Sequence, residues 1–430
     1  MNMKKMMLLA ATTLAGSVMA DVSVEDVKCT QRYPWNGLVD IEYTIACDDP
    51  EADVYVNPVA YDGDRRLTLF PSAFTGDGAT NTVKAGRHKM VWDAKKDLGS
   101  LFSSKNFQIK MYAGKRLSRY VVVDLSSGPD GENFPIRYSL TGPDISDDAC
   151  RTTELWLRLI PPGTFMMGSP ADELGRSDNE DLHKVTITQP FYIGVFEVTH
   201  EQWYRVMGSY RSIGYYQGLE GFPVRQVSYV MIRGSVADNN PNGTTVGEGT
   251  FFEKIRRKTR ANGFDFPTEA QWEYACRCGT ATALYNSRNL TGVRGCSNLN
   301  ELGRYYVNGY NGGSEHRWDR VENNYAAKVG SYEPNVYGIY DLYGNVVEIC
   351  RDSWTDNLGG NAVTDPLPCG SIYKSWNGSN SDSTWFSVVR GGSGSSQASE
   401  CRSASRGKQL CGDYPEWIGF RISCPGNLQK

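Results

Sequence analysis

The chain has 430 residues, 40 % of them hydrophobic and 12 % aromatic, with a formal net charge of −4. That length is enough for two sizeable cores. The weak negative charge gives no electrostatic reason to expect nucleic acid or an anionic membrane as partner. The 25 tyrosines and 10 tryptophans suit a loop-rich fold, in which large side chains pack irregular backbone.

The first twenty residues read as a secretory signal peptide. Lys4 and Lys5 form the charged start, Met6 to Val18 a short apolar run, and Val18-Met19-Ala20 a small-residue cleavage site before Asp21. The run is too short to remain as a bilayer anchor, and no later stretch is long enough to span one. A secreted, periplasmic or cell-surface location follows. Export changes the meaning of the 11 cysteines, because oxidising compartments permit disulfides and an odd count leaves one thiol over. Cys29 with Cys47, and Cys350 with Cys369, are the pairs whose position suggests loop closure.

Residues 21–125 show period-two alternation in Val39-Asp40-Ile41-Glu42-Tyr43-Thr44-Ile45 and in Phe107-Gln108-Ile109-Lys110-Met111, separated by turn clusters such as Gly76-Asp77-Gly78. Short strands at this spacing predict a β-sandwich of immunoglobulin or fibronectin type. Residues 126–150 form a connector rich in Ser, Gly, Pro and Asp. The strand 120–125 could belong to either side. From 151 to 430 the pattern is mixed. Leu155 to Gly168 reads as a hairpin around a Pro-Gly turn. Thr199-His200-Glu201-Gln202 and Thr268-Glu269-Ala270-Gln271 are capping boxes that start helices, the first stopped by Gly208 and the second running to about Arg277. The basic run 254–260 reads as a solvated helix face rather than an anion site. From 279 onward loops dominate, a length that is uncommon unless ions, disulfides or function hold them.

Several ordered segments carry a resemblance. Pro162-Gly163-Thr164-Phe165-Met166-Met167-Gly168, Phe196-Glu197-Val198-Thr199, Phe266-Pro267-Thr268-Glu269-Ala270-Gln271-Trp272-Glu273-Tyr274-Ala275, Asn335 to Glu348, and Arg390-Gly391-Gly392-Ser393 with Cys401-Arg402-Ser403-Ala404 and Gly419-Phe420-Arg421 occur in this order. Together, residues 152–424 resemble the formylglycine-generating enzyme, or sulfatase-modifying factor, family. The resemblance implies a C-type-lectin-like fold: a small twisted sheet, two helices and much irregular backbone. The fold class expected for the whole chain is therefore α+β, a β-sandwich followed by this loop-rich domain.

The resemblance also implies sites. Active oxidases of the family bind copper(I) through two cysteines that follow the Gly-Gly-Ser. Here the second falls on Cys401 and the first on Ser396, while Ser393 matches the serine near the oxidase centre. Copper(I) is soft and prefers thiolate, so a serine hydroxyl is a poor substitute and copper is not expected. The family's Trp-Glu-Trp reads Val347-Glu348-Ile349, which removes aromatic surface. A structural calcium is implied at Asp341, Gly344, Val346 and Glu348, where two carboxylates and two carbonyls supply hard oxygens. Elsewhere the chemistry is thin. Cys276 and Cys278 would diverge by roughly 200° on a helix, the four histidines form no paired ligand motif, and no Ser-His-Asp elbow is visible.

The expected function is a non-catalytic binding or display module outside the cytoplasm. Its partner would be an extracytoplasmic ligand or protein met by the loops of 279–334 and 354–418. Two alternatives stand beside it: a copper-dependent oxidase turning a sulfatase cysteine into formylglycine, in which another thiol such as Cys411 completes the pair, and an envelope scaffold.

Overall fold

The computed structural model describes residues 22–426, apart from 35, 48–49, 51–53, 64, 68, 70–72, 80–81, 100–103, 116–118, 211–217, 235–242, 310–325, 368–372, 375–382 and 385. The expected signal peptide, His316 and Cys369 lie outside the described residues. The chain forms two compact units, Met1–Arg119 and Tyr120–Lys430. Among the described residues no helix is long and apolar enough to cross a membrane.

In the first unit, strands β1 (Val22–Gln31), β2 (Leu38–Cys47), β3 (Val54–Asp62), β4 (Arg65–Leu67), β5 (Phe74–Gly76) and β6 (Gly86–Asp93) precede a short helix α1 (Ala94–Leu98) and strand β7 (Phe107–Lys115). They build two antiparallel sheets, ordered β1-β2-β6-β5 and β4-β3-β7. The alternation on β2 buries Val39, Ile41, Tyr43 and Ile45 on one face. Trp92 joins the sheets, stacked between Phe74 at 6.0 Å and Phe107 at 5.7 Å, and its indole N–H donates to Asp97 Oδ2 at 2.7 Å. The expected Cys29–Cys47 bridge is not formed. In the β1–β2 register Cys29 faces Ile41 and Cys47 faces Val22. Six strand residues separate the two positions, about 20 Å, whereas a disulfide needs Cα atoms within about 7 Å.

The second unit contains β8 (Tyr120–Asp124), β9 (Ile136–Ser139), α2 (Ala149–Thr152), β10 (Glu154–Ile160), β11 (Gly163–Met167), β12 (His183–Ile187) and β13 (Phe191–Gly194). Helices α3 (His200–Met207), α4 (Tyr229–Arg233), α5 (Phe251–Thr259) and α6 (Glu269–Arg277) follow. The remainder is β14 (Gly303–Arg304), α7 (Tyr306–Gly309), β15 (Tyr343–Gly344), β16 (Val347–Ser353), β17 (Val363–Thr364), β18 (Tyr373–Lys374), β19 (Ser383–Thr384), β20 (Phe386–Arg390), β21 (Gly407–Leu410), β22 (Ile418–Gly419) and β23 (Ser423–Pro425). The main sheets run β23-β13-β10-β8-β9, β21-β20-β16-β22 and β11-β12-β17. Strand β8, which the sequence leaves to either side, pairs with β10 and so belongs here. This is an α+β arrangement, mostly small sheets with few helices.

The hairpin expected over 155–168 is not formed. Strand β10 pairs with β8 and β13, and β11 pairs with β12. Pro161 and Pro162 lack N–H donors and fix φ, so the chain turns a corner between two sheets instead of folding back in register.

Both capping boxes form. The Thr199 hydroxyl accepts from Gln202 N–H, and Thr268 accepts from Gln271 N–H, with each glutamine returning the bond. Helix α3 ends on Gly208 at φ 82° and α6 on Cys278 at φ 47°, both left-handed. Trp203, Trp272 and Tyr274 are buried. The basic run on α5 corrects the expectation of a solvated face. Arg257 is exposed, but Arg256 and Lys258 are buried. Lys258 Nζ donates to the Pro129 carbonyl at 2.6 Å, and Arg256 turns toward Asp265.

Candidate functional site

Strands β16 and β20 carry their chains side by side, with Glu348 opposite Arg390. Just past Arg390 the backbone makes a glycine turn, with Gly391 at φ 90° and Gly392 at φ 73°. A cleft of 420 Å³ opens there. Its walls include Ser393, Ser395, Ser396, Glu400, Lys408 and Trp417. Trp417 is 49 % exposed and supplies an aromatic face at the cleft. Nothing in the sequence marked it, because it sits in no motif and reaches the cleft only through the β16–β22 pairing.

The serines form one hydroxyl cluster. Ser393 Oγ lies 3.0 Å from Ser395 Oγ and 3.4 Å from Ser396 Oγ. Ser396 N–H donates to the Ser393 carbonyl at 3.0 Å, and its own carbonyl accepts from Tyr306 N–H at 2.9 Å. Cys401 is elsewhere. It is fully buried and does not line the cleft. A Cβ built on Gly392 would lie 2.6 Å from Cys401 Sγ, so only glycine lets the turn lie against the thiol. Burial pushes the Cys401 thiol far above its ordinary value, with the Gly344 N–H opposing only part of the effect.

The structure therefore brings Ser393 and Ser396 together and seals Cys401 behind them. This donor set does not fit copper(I), which needs two accessible soft thiolates. Cys411 does not supply the second. It does not line the cleft, it is hydrogen-bonded to Ser387, and burial pushes its thiol up to about 12. Among the described residues no cysteine is in a disulfide, and Cys350 lies in the fully buried part of β16. Cys276 and Cys278 both lie in the interior, and Cys276 contacts Ser403 Oγ at 3.6 Å.

Behind the cleft wall lies a buried charge network. Arg390 Nη2 reaches Glu273 Oε2 at 2.5 Å and Nε reaches Glu269 Oε1 at 3.0 Å. Arg406 grips Glu269 in bidentate fashion at 2.5 and 2.9 Å. Asp352 Oδ2 accepts the Glu269 N–H at 2.7 Å. Burial first, then the neighbouring Glu269 charge, pushes the Asp352 carboxyl from 3.8 up to about 8.

The segment expected to hold calcium lies next to the cleft loop, joined by Gly394 N–H donating to the Asn345 carbonyl at 3.0 Å. Three carboxylates meet here: Glu197, Asp341 and Glu348, all fully buried, with Arg421 as their cation. Glu348 Oε2 accepts from Trp272 Nε1 at 2.7 Å and Arg421 Nε at 2.6 Å, and Oε1 from Arg421 Nη2 at 2.5 Å. Glu197 was not singled out from the sequence. Its oxygens accept from Asn345 Nδ2 at 2.6 Å and Val346 N–H at 3.1 Å. Asp341 Oδ2 accepts from Gly330 N–H at 2.6 Å, while buried Oδ1 has no partner. Burial raises Glu197 well above the usual carboxylate range and Asp341 to about 6. Among the described residues, no three His, Cys, Asp or Glu side chains converge at metal distance. The set nevertheless fits a hard divalent cation. Asp341 Oδ1 has no hydrogen-bond partner, and Glu348 Oε1, which accepts only from Arg421 Nη2, retains a lone pair.

Residues 145–424 match the model of the sulfatase-modifying factor enzyme 1-like domain. The chaperone protein LppX of Paenibacillus barcinonensis is 29 % identical over 40 % of this chain and 70 % of its own. The formylglycine-generating enzyme of Mus musculus is 24 % identical over 61 % of this chain and 73 % of its own. The structure of PvdO from Pseudomonas aeruginosa is also similar, at 25 % identity and a TM-score of 0.45, over 63 % of this chain and 94 % of that one.

Proposed function

The chain belongs to the sulfatase-modifying factor enzyme 1-like domain family, and from that premise we propose that it is an exported binding module that does not oxidise what it binds. The binding face is the cleft beside Ser393, Ser396 and Trp417. One observation carries the reading: Ser396, which the resemblance aligns with the first copper thiolate, lines the cleft with a hydroxyl, while Cys401 is fully buried behind Gly392, where burial opposes its ionisation. Hydroxyls, Lys408, Glu400 and one exposed indole suit recognition of a polar ligand by hydrogen bonds and stacking.

Calcium is part of the proposal. Asp341 Oδ1, Glu348 Oε1 and the carbonyls of Gly344 and Val346 would hold it. The ion would fix loops that few backbone ladders hold. Its role is structural. Calcium-free and calcium-loaded protein should differ in melting temperature and not in ligand chemistry.

The test is an oxidase assay. Purified protein, loaded with copper(I) under air, receives a peptide carrying Cys-x-Pro-x-Arg, and mass spectrometry looks for the aldehyde. The peptide should come back unchanged. Aldehyde that disappears in Cys401→Ser would overturn the binding reading and establish the oxidase alternative, which the enzymes in the family keep open.

A further inference from the structure

Two charged side chains line the cleft from separate stretches, Lys408 on β21 and Glu400 at the end of the single turn 398–400. Each charged head is held by neutral partners. Lys408 Nζ lies over the Phe386 ring, 5.2 Å from its centroid, and 5.8 Å from that of Trp354. Glu400 Oε2 accepts the Gln397 N–H at 2.8 Å, one half of a capping box. Among the described residues neither joins an ion pair, with the other or with a third group.

Arg390 and Arg406 line the same cleft, but both are paired inward, Arg390 with Glu269 and Glu273 and Arg406 with Glu269. Lys408 and Glu400 differ from them. They are one cation and one anion, positioned without being neutralised, so a ligand that meets them orders less side chain on binding. A ligand with a single charge is attracted by one of the two and repelled by the other. A neutral polyol can use the hydroxyls of Ser393, Ser395 and Ser396 but matches neither charge. A ligand carrying one charge of each sign matches both, and Trp417 offers a face for an apolar body. The cleft volume, 420 Å³, lies toward the low end of the roughly 300–1,000 Å³ of small-molecule sites, so the ligand is small.

Resting on the reading of this cleft as a binding face, we infer that its ligand is a small zwitterion with an apolar or aromatic body, of the α-amino acid or dipeptide class. Lys408 takes the carboxylate, Glu400 takes the ammonium and Trp417 packs on the body.

The test is isothermal titration calorimetry on the protein as purified for the oxidase assay. L-phenylalanine and glycyl-L-phenylalanine are the zwitterions. N-acetyl-L-phenylalanine keeps the carboxylate alone, L-phenylalaninamide the ammonium alone, and glucose is the neutral polyol. One of the zwitterions should bind about ten- to hundredfold more tightly than either single-charge analogue. Which of the two binds better reads the spacing of the charges and separates amino acid from dipeptide. Lys408→Met keeps an apolar stem on the rings, and Glu400→Gln keeps an oxygen for the Gln397 N–H. Both positions are exposed, so both variants should fold. Lys408→Met should bring the zwitterion down to the affinity of the amide and leave the amide unchanged. Glu400→Gln should do the same toward the N-acetyl compound. Equal affinity for the zwitterions and their single-charge analogues, binding unchanged in both variants, or no saturable binding of either zwitterion overturns the assignment. Glucose binding in their place overturns it as well but leaves the cleft a binding face, whereas aldehyde in the oxidase assay removes that underlying reading itself.

Discussion

Replacing Asp352 with asparagine should stabilise the protein, and by an amount that grows with pH. The carboxyl is 1 % exposed, and its Oδ2 accepts the Glu269 N–H that opens helix α6. An amide oxygen can accept the same bond, so the variant keeps the helix contact. Burial, followed by the Glu269 charge, moves the group from 3.8 to about 8. An acid raised in the folded state stabilises fully below its unfolded pKa, and that stability is lost as pH rises through the folded value. Wild-type stability should therefore fall between about pH 4 and pH 8 on account of this group. Each pH unit is worth about 1.4 kcal/mol at most. Relaxation around the buried charge reduces the total to an expected ~1–3 kcal/mol near pH 8. The assay is urea unfolding of wild type and Asp352→Asn at pH 5, 6.5 and 8. The gap should widen steadily toward pH 8. A variant less stable than wild type at pH 8, or a gap that ignores pH, would refute the reasoning.

Two further outcomes follow from the cleft and its neighbour. Calcium in hundredfold excess over its Kd should stabilise the wild type by ~3 kcal/mol. Asp341→Ala, which removes both side-chain oxygens, should be insensitive to calcium and to EDTA in differential scanning fluorimetry. Gly392→Ala should cost about 2–4 kcal/mol, because it combines a left-handed φ with a Cβ against Cys401 Sγ. Adding Cys401→Ala should recover the steric share and not the backbone share, as read by denaturant midpoints.

The legible parts of this chain were local ones. Thr199 with Gln202, and Thr268 with Gln271, specify helix starts within four residues, and Gly208 specifies a stop, because capping involves only neighbours. Alternation on 39–45 specified a buried face for the same reason. Strand partners were not legible. Strands β10 and β11 are adjacent in sequence and enter different sheets, a choice made by β8, β12 and β13. The site divides in the same way. Ser393, Ser396 and Cys401 sit in one block and could be read together. Trp417 on the cleft and Glu197 in the carboxylate cluster each arrive from distant stretches. The basic run on α5 misled because periodicity shows which residues share a face. It does not show which face meets a buried aspartate.

Position 396 also separates two thiol environments that sequence spacing treats as a pair. Ser396 lies on the cleft wall, whereas Cys401 has no exposed surface and lies against Gly392. A thiol reacts as thiolate, and burial in apolar surroundings suppresses that form. Ser396→Cys should therefore gain one thiol that iodoacetamide labels in the folded protein, near the rate of an open cysteine. Cys401 should stay unlabelled in both proteins until denaturant is added. Peptide mapping by mass spectrometry separates the two sites. Equal labelling of 396 and 401 in the folded variant would mean that the glycine turn opens readily. The two sulfurs could then meet over one copper ion, and serine at 396 would be the whole barrier to oxidase chemistry. Labelling at 396 alone means that packing around Cys401 is a second and independent barrier, and that restoring the missing thiol does not restore the enzyme.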